Sequence, residues 1–173
     1  ASITGRVVVV LDACQAGVTT LPRSAESYGL GLTMGAGEVR LDELANAFAA
    51  LLRGGQWRPA ASWRAVTDDA GAVRARPERP GSRRVVSAES AAQVIDVLAD
   101  PEARADAFGP WSVLRLPFPA AVKTGTSEGF HDNWCVGGTR EVVAGVWCGS
   151  FDRAPMGNVS GVSGAGAVWR EVM

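Results

Sequence analysis

Val122-Lys123-Thr124-Gly125-Thr126-Ser127-Glu128-Gly129-Phe130-His131-Asp132-Asn133-Trp134 is the stretch from which the fold can be read. Lys123 is the only lysine in the chain, and it follows an apolar, proline-flanked approach from Leu116 to Val122. A lone cation beside two hydroxyl residues and a glycine suits a strand edge that holds an anionic ligand. A plain strand with a solvated lysine accounts for the pentapeptide equally well, because short motifs match by chance. The surroundings have to decide.

Downstream, Asn133 to Thr139 and Glu141 to Gly149 read as two more extended runs around a tight turn near Thr139–Glu141. Val142, Ala144, Val146 and Cys148 alternate with Val143, Gly145 and Trp147, the pattern of a strand covered on both faces. Ser163 to Met173 then carries Ala165, Val168, Trp169 and Val172 at helical spacing. The tail is therefore expected to be a three-strand meander with a helix packed on it.

Upstream, Leu41, Leu44, Ala45, Phe48, Leu51 and Leu52 recur at helical spacing. Asp42 and Glu43 sit at the end that favours acidic groups, Arg53 at the other, and Gly54-Gly55 stops the run. Ser87 is a candidate N-cap for a second helix with Glu89 in its first turn, an Ala91/Val94/Ile95/Leu98 stripe, and Pro101 at its end. Between them Trp57 to Val66 reads as one or two extended pieces, and Asp68-Asp69-Ala70-Gly71 as a turn closing a hairpin. Ala103 to Trp111, Thr19 to Ser27 and Phe151 to Val162 read as loops, and Tyr28 to Gly37 as a glycine-punctuated connection. Val7 to Val10 begins a run whose short window leaves strand and buried helix both open.

With 173 residues, 47% hydrophobic and 20% charged, the chain is one globular domain or a large part of one. A net charge of −1 offers no clustered basic face for nucleic acid, and Arg74, Arg76, Arg79, Arg83 and Arg84 read as a solvated loop. The Val7 to Leu11 run is too short to span a bilayer, so no membrane contact is expected from this segment. Cys14, Cys135 and Cys148 show no metal-ligand spacing and His131 is the only histidine, so neither metal nor cofactor is expected. A turn centred near Arg140 sets Cys135 opposite about Gly145 rather than Cys148, which argues against a disulfide between them.

Taken together, these residues resemble the transpeptidase domain of penicillin-binding proteins, most closely the bifunctional 1C type. Lys123-Thr124-Gly125-Thr126-Ser127 followed by Asp132-Asn133-Trp134 looks like that family's third active-site motif with its continuation. Val136-Gly137-Gly138-Thr139 and Gly145-Val146-Trp147-Cys148-Gly149 resemble its next two strands, and Gly37-Glu38-Val39 with Leu44-Ala45-Asn46-Ala47-Phe48-Ala49 and Gly54-Gly55 resembles its helix before a glycine stop. Leu114 to Pro119 and Val159-Ser160-Gly161 to Trp169-Arg170 point to the 1C type. The implied fold is α+β, part of the serine β-lactamase/penicillin-binding transpeptidase fold: an antiparallel sheet, with three C-terminal strands here, packed against helices.

The resemblance implies a D,D-transpeptidase whose serine attacks a D-Ala-D-Ala stem peptide of peptidoglycan and which β-lactams acylate by mimicry. It gives Lys123 a catalytic and substrate-binding role through its positive potential. The hydroxyls of Thr124 and Thr126 become candidates for the substrate carboxylate. Gly125 allows close approach of a ligand backbone, Ser127 completes the binding strand, and the Thr126 N–H becomes an oxyanion donor. It also implies an extracytoplasmic setting, at the periplasmic face of the inner membrane through a membrane-anchored parent.

The family's other two motifs are expected to lie outside the chain. A Ser-x-x-Lys ending at Lys123 would need serine at position 120, which is Ala120, and no asparagine follows a serine at the right spacing. No Ser-x-Asp is expected either. Residues 1–173 are thus expected to be the C-terminal portion of a longer enzyme, inactive in isolation. The alternative is a non-catalytic peptidoglycan-binding or structural module on the same fold. His131, Glu128 and Asp132 are expected to build a polar turn rather than an acid/base set, and Trp134, Trp147 and Trp169 to pack in the core.

Overall fold

A computed structural model describes residues 6–11, 30, 37, 39–78 and 81–173, the first of these segments as backbone only. The readings of Thr19 to Ser27 and most of Tyr28 to Gly37, and the positions of Cys14, Arg79 and Pro80, lie outside the described residues.

Strands β6 (Ala121–Thr126), β7 (Asp132–Gly138) and β8 (Val142–Gly149) form the expected antiparallel meander. A fourth strand, β1 (Arg6–Leu11), lies parallel to β8 and gives the sheet the order β1-β8-β7-β6. The valine run is therefore strand, and the sheet is mixed rather than wholly antiparallel. Its effect is to cover the outer edge of β8, leaving β6 as the outer strand on the opposite side.

The alternation read from the sequence sorts two cores onto the two faces. Ala121, Val136 and Val143 pack with helix α1 (Leu41–Leu52) through Leu41, Ala45, Phe48, Ala49 and Leu52. Val122, Cys135, Ala144 and Val146 pack with Leu114, Ala120, Ala165 and Trp169 on the other side. Trp169 belongs to helix α4 (Ala165–Val172), is fully buried, and donates its indole N–H to Gly137 O at 3.2 Å. Trp134 and Trp147, whose rings meet at 6.4 Å, lie against the α1 core instead. The three tryptophans are thus split between faces rather than packed together, as strand alternation requires.

Helix α1 ends as expected: Gly54 and Gly55 adopt positive φ, and a Cβ on Gly55 would stand 2.0 Å from Val86 O. Helix α2 (Ala88–Ala99) is capped by Ser87, whose Oγ accepts the Ser90 N–H at 3.0 Å. Its expected stripe needs correction. Ala91 is buried and Ile95, Leu98 and Ala99 pack on the α1 core, but Val94 is 42% exposed. The i, i+4, i+7 row 91/95/98 faces inward, and position 94 falls on its flank. In α4 the buried positions are Ala165, Gly166 and Trp169, with Val172 on the surface rather than in the stripe.

The middle of the chain carries the expected short extended pieces and hairpin, and adds a strand and a short helix where loops were expected. Strand β2 (Gln56–Trp57) pairs with β5 (Arg83–Arg84), and β3 (Val66–Thr67) pairs with β4 (Val73–Ala75). The Asp68–Gly71 turn closes the β3–β4 hairpin, with Asp68 Oδ1 accepting the Ala72 N–H at 2.8 Å. Arg74, Arg83 and Arg84 are exposed but strand-borne, Arg83 stacking on the Trp57 ring and Arg84 donating to Gly54 O. Within Ala103–Trp111 a short helix α3 (Ala105–Phe108) forms, ended by Gly109 at positive φ.

Candidate active-site edge

Strand β6 carries every site residue singled out from the sequence except Ser127, which follows it. Ala121 and Val122 anchor its first half in the two cores, which holds the second half at the sheet's outer side. One neighbour, β7, pairs with it, in the register Lys123↔Val136, Thr124↔Cys135, Gly125↔Trp134 and Thr126↔Asn133. Among the described residues no strand pairs with the outer edge of β6. An edge of this kind presents unpaired peptide groups to an extended ligand.

Alternation distributes the side chains. Lys123 and Gly125 share the face of Ala121, toward α1 and α2, while Thr124 and Thr126 share the face of Val122, toward α4. Lys123 is exposed, and its ammonium donates to Thr124 O at 2.6 Å, so it lies along the strand rather than reaching away from it. The expected cation and hydroxyls are therefore on one strand but on opposite faces of it.

Gly125 has an informative environment. A Cβ placed there would meet Trp134 Cβ at 3.6 Å, ordinary contact, so the packing of this chain does not require glycine. On the other side, Gly161 of the loop before α4 lies hard against Gly125: a Cβ on Gly161 would be 2.4 Å from Gly125 O. The Gly161 N–H donates to Thr126 Oγ1 at 2.8 Å. Sequence reading missed this loop contact, since nothing in the pattern joins residues 35 positions apart.

Ser127 serves the turn. Its N–H donates to Asp132 O at 3.0 Å, and its Oγ accepts the Asp132 N–H at 2.8 Å. Asp132 Oδ1 accepts from Trp147 Nε1 at 3.0 Å. His131 Nδ1 contacts Arg153 O, and Glu128, Gly129 and Phe130 form a 3-10 turn. These residues make the expected polar turn, tied to β8 as well as to itself.

Cys135 faces Val146 and Cys148 faces Asn133, one residue from the register anticipated, and no disulfide joins the two. Burial pushes the Cys135 thiol up to about 12, countered in part by Arg104. One expectation about motifs is overturned: Ser150-Phe151-Asp152 is a Ser-x-Asp. It sits in the exposed turn after β8, where Ser150 Oγ donates to Asp152 Oδ1 and Asp152 also accepts the Ala154 N–H. Those bonds hold the Asp152 carboxyl below its ordinary value, the Ser150 contact contributing most. The pair stabilises a turn and follows Lys-Thr-Gly in the chain, the reverse of the order the resemblance implies.

A mixed sheet with helices on both faces and a Lys-Thr-Gly strand at its outer side defines the penicillin-binding class of α+β fold. The structure of PonA1 from Mycobacterium tuberculosis matches it with a TM-score of 0.69 at 22% identity, over 82% of this chain and 39% of that one. A second PonA1 structure, in complex with penicillin V, matches with a TM-score of 0.66 at 19% identity, over the same shares.

Sequence leads to the same group. The chain is 32% identical over 136 residues to penicillin-binding protein 1C of Escherichia coli K12, covering 79% of this chain and 16% of that protein. It is 30% identical over 171 residues to penicillin-binding protein 2D of Bacillus subtilis 168, covering 91% of this chain and 24% of that protein. No protein-family profile matches. The chain belongs to the penicillin-binding proteins, and it spans between about a sixth and a quarter of the curated relatives' length.

Proposed function

We propose that residues 121–127 form the substrate-holding edge of a serine-type D,D-transpeptidase that cross-links peptidoglycan stem peptides and is acylated by β-lactams. The observation that carries this reading is β6 itself: an outer strand, unpaired on one side among the described residues, with a glycine that its own packing does not require. A D-Ala-D-Ala end or a β-lactam lies along that edge as an added strand. Lys123 supplies positive potential beside it, Thr124 and Thr126 offer hydroxyls to the carboxylate, and Gly125 leaves room for the ligand backbone. Ser127 closes the strand, and the Thr126 N–H is one donor to the oxyanion formed as the serine attacks.

The reaction needs a nucleophilic serine and a proton-shuttling lysine. The chain's one lysine, Lys123, is preceded at the required spacing by Ala120. Both groups therefore come from elsewhere in a longer protein, of which residues 1–173 are part of the transpeptidase domain. That protein acts outside the cytoplasm, held at the membrane by another segment.

A fluorescent penicillin tests the proposal in two arms. The purified 173-residue chain is expected to carry no covalent label after denaturing electrophoresis. The full-length protein is expected to be labelled on a serine outside residues 1–173. Labelling of the short chain would overturn the assignment of roles, and an unlabelled full-length protein would favour a non-catalytic module.

A further inference from the structure

Asn133 is fully buried beside the candidate edge, yet only half of its amide is satisfied. Its Nδ2 donates to Val159 O at 2.7 Å, while Oδ1 has no hydrogen-bond partner among the described residues. That oxygen lies against the loop before α4, where a Cβ on Gly164 would stand 2.4 Å away. A buried amide with an unmet oxygen is worse for stability than an apolar side chain of similar shape. Stability alone does not explain asparagine here. What it does accomplish is to hold Val159, two residues before Gly161 in that loop.

The loop is tied together internally. Ser160 and Ser163 exchange hydrogen bonds, Gly164 N–H donates to Ser160 O at 2.8 Å, and Gly166 N–H donates to Gly161 O at 2.7 Å. Fixing Val159 therefore fixes Gly161, whose N–H donates to Thr126 Oγ1 at 2.8 Å. Asn133 and Thr126 are also direct cross-strand partners, so loop and strand are clamped from one place. A hydroxyl has one proton to give and lone pairs to receive. With Gly161 N–H directed at the oxygen, the hydroxyl's proton is oriented away from the loop, toward the solvent to which Thr126 is exposed.

We infer that Asn133 and Gly161 are positioning residues: they clamp the loop of residues 159–164 against β6 and so orient the Thr126 hydroxyl as a hydrogen-bond donor to a ligand carboxylate. The inference rests on the proposal that β6 holds an acyl-D-alanyl substrate. It assigns to the loop a share in recognising the carboxylate, through residues that never touch it.

The test compares two probes on the full-length protein: an N-acyl-D-alanyl thioester bearing a terminal carboxylate, and the methyl ester of that acid. The readout is the ratio of their kcat/KM values. Thr126→Val and Asn133→Ala are each expected to lower the acid-to-ester ratio about tenfold, the worth of a hydrogen bond to a charged group. The ester rate falls by a smaller factor. Thr126→Ser keeps the ratio, and Trp111→Ala, at a residue 92% exposed, serves as the control. The Thr126→Val/Asn133→Ala double variant shows no further loss of ratio, because both changes remove one donor. Gly161→Ala would set a Cβ 2.4 Å from Gly125 O and push the loop off the strand, so Asn133 and Thr126 carry the decision.

If Asn133→Ala lowers both rates by one common factor, its role is structural and the inference is overturned while the proposed edge stands. The same holds if Thr126→Val lowers the ratio and Asn133→Ala does not. If neither Lys123→Ala nor Thr126→Val changes the ratio, or if neither probe is turned over, the proposed edge fails and the inference with it.

Discussion

Replacing Trp169 by alanine probes the packing that holds α4, and with it the loop over β6, against the sheet. Trp169 is completely buried among Leu114, Val122, Cys135, Ala144 and Val146, and its indole N–H is bonded to Gly137 O. An aromatic side chain of this kind removes about 150–250 Å² from water, which at ~25 cal/mol per Å² is about 4–6 kcal/mol. Losing the indole bond to Gly137 O, which the ladder pairing with Ala144 also engages, adds about 0.5–1.5 kcal/mol, and partial collapse of the cavity recovers some of the total. We expect about 4–5 kcal/mol of destabilisation, a large share of the roughly 5–15 kcal/mol that holds a domain together. Urea unfolding of the purified chain, followed by far-ultraviolet circular dichroism, should show the midpoint falling by about 2 M. Trp169→Phe keeps much of the packing and loses the N–H, so it should cost about 1–3 kcal/mol. Trp111→Ala, at an exposed site, should stay within about 0.5 kcal/mol. Equal effects at positions 169 and 111 would refute the two-core description of the sheet.

Other consequences can be measured directly. Cys135 should resist alkylation at pH 8 in the folded protein and react once the protein is unfolded in urea, because burial raises its thiol to about 12. The raised value favours the protonated thiol in the fold, so this contribution is intact below about pH 9 and is lost as pH rises from about 9 to 12. A Cys135→Val variant should flatten that decline, by about 1.4 kcal/mol per pH unit; an unchanged slope would contradict the burial. Ser87→Ala removes the acceptor for Ser90 N–H and should cost about 1 kcal/mol, read as a fall in Tm of about 2–4 °C. Gly55→Ala should cost more than that, since it adds a Cβ at positive φ directly against Val86 O; a neutral effect in the same melt would argue against the turn described.

The sheet was legible because its residues obey one rule at a time. Val142 to Gly149 is an unbroken apolar run that serves both faces of the sheet, the Asp68–Gly71 turn carries residues that turns favour, and the turn near Thr139–Glu141 shows as a polar break between two apolar runs. Helix boundaries at Leu52, Ser87 and Pro101 were likewise written in a cap and breakers, whereas the start at Leu41 follows Arg40 with no side-chain cap. Burial within helices was less legible: Val94 and Val172 have the chemistry of a core residue, and only the angle at which a helix meets the sheet decides otherwise. The strand character of Val7–Val10 emerges from its pairing with β8, which no local window contains.

At the candidate site, Lys123, Thr124, Gly125 and Thr126 were found from their order alone. Ser127 was grouped with them, but its hydroxyl oxygen is engaged by Asp132 N–H in the turn. Asn133 and Gly161 could not be found, because their importance arises from one residue facing Thr126 across the sheet and another arriving from a loop 35 positions away. The Ser150–Asp152 pair shows the opposite limit: the spacing of a motif is present and its geometry is that of a turn.

The reciprocal bonds between Ser127 and Asp132, anchored by Trp147, separate what happens beyond them from what lies before them. Glu128 and Gly129 sit outside that clasp and are exposed. A short tag inserted between them would leave the pairing of Lys123 with Val136 and Gly125 with Trp134 undisturbed. This bend is therefore the place to attach a reporter: close enough to sense a ligand arriving along β6, and mechanically isolated from the strand that receives it.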